Sequence, residues 1–277
     1  MHTQIGAYPV EMIQFNPGGE RLIVLLHGFG ASTFSWRTVT AELAEFGHVI
    51  AYDRPGFGNT PLVERSKHED PYSLSGQVEL LKRLVETYAN NRPVVLIGHS
   101  AGALVATEFA LRYPEALTCL VLESPAIWRK PPIAGWLGRA LRAERLENRA
   151  QRLLEGFSKA GMKILRDSFF NPEKLSQEVI DGYTAPMNNP DWKLALWRFM
   201  TASQSNEVRG NLWRIEMPVM VITGDHDKIV RVEDTFKVAE RILCHSIYLV
   251  PNTGHLAHEE DPNDFLRVVT RFIKKNS

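Results

Sequence analysis

Six apolar runs of five or six residues recur along the chain, separated by longer stretches of helical period. This alternation limits the fold more than any other feature. Runs this short, ending near Gly, Asp or Pro, read as strands buried on both faces, and strands joined by helical crossovers pair in parallel. The strand candidates are Arg21 to Leu26, His48 to Tyr52, Pro93 to Ile97, Thr118 to Glu123, Pro218 to Thr223 and His245 to Val250. Between them, Trp36 to Glu45 and Gln77 to Tyr88 space apolar residues three and four apart, with Ser73 or Ser75 as a cap for the second. A further helical run after Ser100 stops at Tyr113-Pro114, because proline disfavours the helical conformation in the residue before it. The expected fold class is α/β, a mostly parallel central sheet flanked by helices.

The alternation lapses from Ser124 to about Trp213. Helical segments there, such as Leu146, Ala150, Leu153, Leu154 and Phe157, are broken by Pro131-Pro132, Asn171-Pro172 and Asn189-Pro190. A structureless loop of that length inside a compact domain is improbable. The expected organisation is therefore a core of residues 1–123 and 214–277, with a mostly helical cap inserted at 124–213.

The 277 residues include 32 Lys+Arg and 32 Asp+Glu, so no global basic field is available to hold a nucleic acid. Neutrality is a cancellation: residues 127–166 hold ten basic and three acidic side chains, a local excess of +7 against −7 elsewhere. That stretch can dock on the acidic body or lean on an anionic membrane surface, although plain solvated charge is the simpler reading. Met1 to Glu20 has no basic start and no long apolar run, so it does not read as a signal peptide. No apolar cluster approaches the ~18 residues of a membrane span. Cys119 and Cys244 each lie in a strand-like run and read as reduced core thiols of a cytoplasmic protein.

The chemistry concentrates at Gly98-His99-Ser100-Ala101-Gly102, which follows a strand and opens a helix. In that setting G-x-S-x-G is a nucleophile elbow, whose small residues permit a strained turn that presents the serine Oγ. A serine hydroxyl is a weak nucleophile and needs a base, which in turn needs an orienting carboxylate. Candidates follow just beyond later strands: Asp225 and Asp227 in Gly224-Asp-His-Asp, and His255 in Asn252-Thr-Gly-His. His255 is preferred over His258, which begins an acidic stretch and reads as solvated or as a helix-start residue, and over His99 within the elbow. For the acid, Asp227 is preferred, with Glu123 at its own strand end and Asp225 left open. The oxyanion that forms on a carbonyl needs fixed donors. The backbone N–H of Ala101 is one expected donor, and that of Phe29, in the glycine-rich turn His27-Gly28-Phe29-Gly30, is the other.

With these segments and Asp53-Arg-Pro-Gly-Phe-Gly58 in this order, the chain resembles the α/β-hydrolase superfamily. It looks most like the serine-nucleophile, esterase-like branch that carries a helical cap. The resemblance spans nearly all of Leu22 to Ile273 and is weakest in the cap. It implies Ser100 as nucleophile, His255 as base, Asp227 as acid, Phe29 and Ala101 as oxyanion donors, and a structural role for Asp53 to Gly58. Relatives that place an aspartate at the elbow, dehalogenases and epoxide hydrolases, do not match Ser100. The leading expectation is hydrolysis of a small to medium apolar carboxylic ester through an acyl-enzyme. The alternative is a carbon-carbon bond hydrolase for vinylogous diketone acids, with Arg198 of Trp197-Arg198 holding the substrate carboxylate. A third possibility, from another class, is a ligand sensor with residual hydrolase chemistry. His99, Trp128, Trp197 and Arg198 are the candidate substrate-binding residues, and Trp136, Phe169, Phe170, Trp192 and Met200 of the cap also suit an apolar ligand. No H-E-x-x-H, Cys/His cluster or phosphate loop is present, so neither metal nor cofactor is expected.

Overall fold

The computed structural model describes residues 2–65, 69–128, 141, 147, 154, 157–204, 207–242 and 245–276. All six expected strands form, with ends shifted by up to two residues: β3 (Leu22–Leu26), β4 (His48–Tyr52), β5 (Val94–His99), β6 (Cys119–Glu123), β7 (Val219–Gly224) and β8 (His245–Val250). They are preceded by a hairpin of β1 (His2–Ile5) and β2 (Tyr8–Phe15). The sheet order is β1-β2-β4-β3-β5-β6-β7-β8; β1 with β2 and β2 with β4 pair antiparallel, and the other pairings are parallel. The hairpin escapes the sequence pattern because Pro9, Glu11 and Gln14 interrupt its apolar residues. In β2 only Tyr8, Val10 and Met12, on one face, are buried.

The central strands are buried on both faces, as their unbroken hydrophobicity requires. In β3, Leu22, Val24 and Leu26 face one layer, while Ile23 and Leu25 face the other. The first layer contains α1 (Leu74–Tyr88) and α2 (Ala101–Arg112), through residues such as Val78, Leu81, Val105 and Phe109. Ser73 caps α1 by accepting from the Gly76 amide. The second layer holds Trp36 and the Phe265, Val269 and Ile273 stripe of the C-terminal helix. Residues 36–45 do not form one helix. A 3-10 turn at Thr33–Thr38 gives way to a single α-turn at Thr40–Leu43, which carries Trp36, Val39 and Leu43 into the core.

The chain leaves the sheet after Glu123 and rejoins it at Val219. Its described part in between is helical: α3 (Phe157–Ser168), α4 (Gln177–Thr184) and α5 (Trp192–Thr201), joined by short turns. Two more helices, α6 (Val232–Arg241) and α7 (Pro262–Asn276), flank the last strands. Leu146, Ala150 and Leu153 of the expected helical segment, Trp136, Cys244 and most of the basic stretch 127–166 lie outside the described residues. Cys119 is a buried free thiol. No helix among the described residues is long and apolar enough to cross a membrane.

The elbow glycines fix how closely β5, α2 and β3 approach. A Cβ on Gly102 would lie 2.2 Å from the Leu26 carbonyl oxygen, and one on Gly98 would lie 2.7 Å from the Ala103 Cα. Both obstacles are backbone, which cannot rotate away. Gly102→Ala should therefore cost about 1–3 kcal/mol of stability, read as a lower urea midpoint at unchanged slope. Gly18→Ala, where a Cβ meets nothing within 4 Å, should leave the midpoint nearly unmoved.

Candidate active site

Ser100 sits between β5 and α2 with φ 52° and ψ −114°, a left-handed conformation that costs an L-residue about 1–3 kcal/mol. Neighbouring strands hold it there. Its amide donates to the Glu123 carbonyl at 2.9 Å, and its own carbonyl accepts from Ala103 and Ala126 at 3.1 and 3.2 Å. Its side chain makes no capping bond to α2, so the hydroxyl is not spent on the helix that it precedes. Ala101 is the first residue of that helix, where amides lack intrahelical acceptors.

Asp227 and His255 meet beyond β7 and β8. The Asp227 Oδ2 lies 2.8 Å from His255 Nδ1, and Oδ1 accepts the Ile229 and Val230 amides at 2.8 and 2.9 Å. Burial alone would raise the Asp227 pKa, but His255 and the two amides outweigh it and hold the carboxyl below its ordinary value. The His255 backbone is pinned on both sides. Its amide donates to the Ser168 carbonyl at 2.8 Å, and its carbonyl accepts from His99 Nε2 at 3.0 Å and Ser124 Oγ at 3.4 Å. Glu260 completes the clamp by accepting from Gly254 (2.6 Å), Phe170 (3.0 Å) and Asn171 (2.9 Å), so one carboxylate ties the histidine loop to the segment after α3.

A buried serine, histidine and carboxylate array adjoins this pair through His99, whose ring lies 4.6 Å from that of His255 and 5.3 Å from that of His258. His258 Nδ1 is 2.7 Å from Glu123 Oε2, and Nε2 is 3.0 Å from Ser35 Oγ. His258, Glu123 and Ser35 are all wholly buried, and the His258 ring stacks on Trp36 at 4.5 Å. This corrects the solvated reading of His258. Glu123 is taken up by His258, accepting its backbone amide as well, whereas the carboxylate on His255 is that of Asp227. Asp225 instead pairs with the half-exposed His226. The acidic run around Glu259 is likewise internal: Glu259 pairs with Arg37 at 2.7 Å and accepts from the Tyr183 hydroxyl of α4.

The glycine-rich turn is braced from below. His27 Nδ1 donates to the Gly28 carbonyl at 2.8 Å, while Nε2 accepts the Arg54 amide at 2.9 Å, which fixes the tautomer. The Arg54 guanidinium, also buried, donates to the same Gly28 carbonyl at 3.1 Å and to Gln77 Oε1 at 2.7 Å. Asp53 accepts the Thr33 and Asn59 amides at 2.6 and 2.7 Å, and burial raises its pKa to about 6.

The alpha/beta hydrolase family model matches residues 23–268. The chain belongs to this family. It is 28% identical over 262 residues to a monoacylglycerol lipase, abhd6-A of Xenopus laevis, covering 93% of this chain and 76% of that protein. Among solved structures, an esterase from Thermogutta terrifontis has a TM-score of 0.78 at 21% identity, covering 100% of this chain and 97% of the other. A meta-cleavage product hydrolase, CumD, has a TM-score of 0.76 at 20% identity, covering 99% and 98%. The relatives place this alpha/beta hydrolase among hydrolases.

The four candidate substrate-binding residues have separate environments. His99 is buried behind the elbow with Nε2 on the His255 carbonyl, and burial, then the charges of His255 and His258, push its pKa well below the usual histidine value. Trp128 packs under the guanidiniums of Arg209 and Arg241 and borders a cleft with Ile229, Val230 and Asp234. Trp197 is part of the hydrophobic core. Arg198 donates to the Val63 carbonyl at 2.9 Å and pairs with Glu64 and Glu147 at 3.2 and 3.4 Å, so its charge is met by the protein's own carboxylates. A different, shallow cleft opens between Gly30, Ala31 and Phe57 on one side and Met187, Trp192 and Leu196 on the other. Its walls begin one residue from Phe29, and Ser100 and His255 do not line it.

Sequence reasoning did not single out Glu260, Arg54 or His27. Burial opposes a charge on His258, yet Glu123 and Glu259 outweigh burial and the Arg37 charge, and raise its pKa. A histidine whose folded pKa exceeds the unfolded value, about 6.5, adds stability at low pH that is lost as pH rises through the folded value. Groups facing this ring are Glu123, Glu259, Arg37, Ser35 and His99. Thermal stability of the wild type should therefore fall as pH rises above the unfolded histidine value of about 6.5, and Glu123→Gln should flatten that slope by lowering stability most at the acidic end.

Proposed function

We propose that the protein hydrolyses carboxylic esters through an acyl-enzyme on Ser100. Ser100 Oγ attacks the ester carbonyl carbon while His255 Nε2 takes its proton. Asp227 holds the proton on Nδ1 and stabilises the imidazolium that results. The Phe29 and Ala101 amides donate to the oxyanion. His255 then returns its proton to the departing alkoxide. A water, deprotonated by His255, attacks the acyl carbon and releases the acid, regenerating Ser100. Helices within 124–213 act as a cap over this centre.

The observation that carries the reading is the Asp227 to His255 contact of 2.8 Å, in a loop whose carbonyl is held by the residue before Ser100. A strained serine, a carboxylate and an imidazole follow the carboxyl ends of β5, β7 and β8 in one sheet, which supports a reading as the set that acyl transfer needs. The substrate we assign is an uncharged ester with an apolar acyl or alcohol part. Two features support this: the cleft beside Phe29 is walled by Phe57, Leu62, Met187, Trp192 and Leu196, and a relative is a monoacylglycerol lipase. The carbon-carbon hydrolase reading draws on the likeness to the meta-cleavage product hydrolase. It needs a cation for the substrate carboxylate, and Arg198, the residue suggested for that task, already faces two carboxylates.

Steady-state turnover of p-nitrophenyl esters of short and medium acyl chains tests the assignment. Wild type should turn them over, and Ser100→Ala should not. A protein that cleaves a vinylogous diketone acid far faster than every ester is a carbon-carbon hydrolase instead. One slow turnover leaving a stable adduct would indicate a sensor. Asp227→Asn should lower kcat by up to ~10⁴-fold, with Glu123→Gln costing far less.

A further inference from the structure

We infer that Arg54 is a positioning residue that strengthens the Phe29 oxyanion donor by polarising the Gly28–Phe29 peptide from its carbonyl side. The inference rests on the function proposed above. Arg54 is 1% exposed, and among the described residues no carboxylate pairs with it. Its hydrogen-bond partners are neutral: the Gly28 carbonyl and the Gln77 amide oxygen, with the Phe57 ring 5.1 Å from the guanidinium. Tyr52, buried beside it, remains a neutral phenol because burial raises its pKa. Burial also draws the guanidinium down to about 10, which leaves it cationic at neutral pH.

An unpaired buried cation is unfavourable in the resting protein. It becomes favourable when a negative charge develops nearby, and attack by Ser100 would create that charge on the far side of one peptide group. The Gly28 carbonyl accepts from both Arg54 Nη2 and His27 Nδ1. Two donors on a carbonyl draw electron density from the attached nitrogen, so the Phe29 N–H becomes a better donor, as in chains of hydrogen bonds that polarise one another. His27 itself is held neutral by burial, then by the Arg54 charge. Arg54 thus contributes a field that matters more in the transition state than in the ground state, the condition for raising kcat rather than lowering KM.

Three variants separate charge from hydrogen bonding. Arg54→Gln keeps a donor and loses the charge, Arg54→Lys keeps the charge, and Gln77→Glu leaves Arg54 in place but sets a carboxylate against its guanidinium. In Arg54→Gln and Gln77→Glu, kcat on a p-nitrophenyl ester should fall by ~10-fold or more with KM within about twofold. Arg54→Lys should retain most of kcat. In the resting protein, the Phe29 amide proton should move upfield by NMR in Arg54→Gln and Gln77→Glu, and move less in Arg54→Lys. Equal losses in the Gln and Lys variants, a loss confined to KM, or an unmoved Phe29 amide overturn the inference. If Arg54→Gln does not fold, Gln77→Glu decides. A wild type that hydrolyses no ester removes the proposed function, and the Phe29 shift still decides the polarisation.

Discussion

A buried carboxylate against a buried imidazole, Asp227 on His255, is the contact that the rest of the site is arranged around. Each group alone would be costly to remove from water. Together, with the Ile229 and Val230 amides on the second carboxylate oxygen, they satisfy one another and lock the turns after β7 and β8. The same histidine binds the other elements through its backbone: β5 through His99, the turn after β6 through Ser124, and the end of α3 through Ser168. Strand ends that are distant in sequence therefore share one anchor, and so does the inserted helical segment.

Beside the serine, histidine and carboxylate proposed to act on the ester stands a second such set, which differs from it in burial and backbone strain rather than in composition. Ser35, His258 and Glu123 have distances of 3.0 and 2.7 Å, as short as any catalytic set requires. Ser35 is wholly buried within a 3-10 turn, with its Oγ 3.2 Å from the Tyr183 hydroxyl oxygen. No substrate carbonyl could reach it. Ser100 instead stands at a positive φ, with its hydroxyl making no capping bond to the helix. The buried array is structural. It joins β6, the 3-10 turn at Thr33–Thr38 and the segment after β8, and Glu259 and Tyr183 extend it to α4.

How far the sequence could be read follows from the range of the interactions. The parallel strands are legible because each carries a short, mostly apolar run, and the elbow because Gly98, Ser100 and Gly102 lie within five residues. The β1–β2 hairpin was hidden because only alternate residues of β2 are buried and Pro9 suggested a break. His258 reads as solvated because it begins a run of acids, and nothing local marks Glu260 within that run. Their burial depends on Glu123, Phe170 and Asn171, partners some ninety or more residues away that no local pattern reveals. Arg54 was passed over for a related reason: the turn containing it was recognised, but its contacts with Gly28 and Gln77 arise only in the folded chain.

The central claim is that one serine, set by the Asp227–His255 pair, is the nucleophile. Labelling the whole protein with a fluorophosphonate and mapping the modified peptide by mass spectrometry tests this most directly. The account predicts a single adduct on Ser100, formed rapidly in the wild type and in Glu123→Gln, and slowly in Asp227→Asn. Modification of Ser35, or unaltered labelling of Ser100 when Asp227 is replaced, would contradict it.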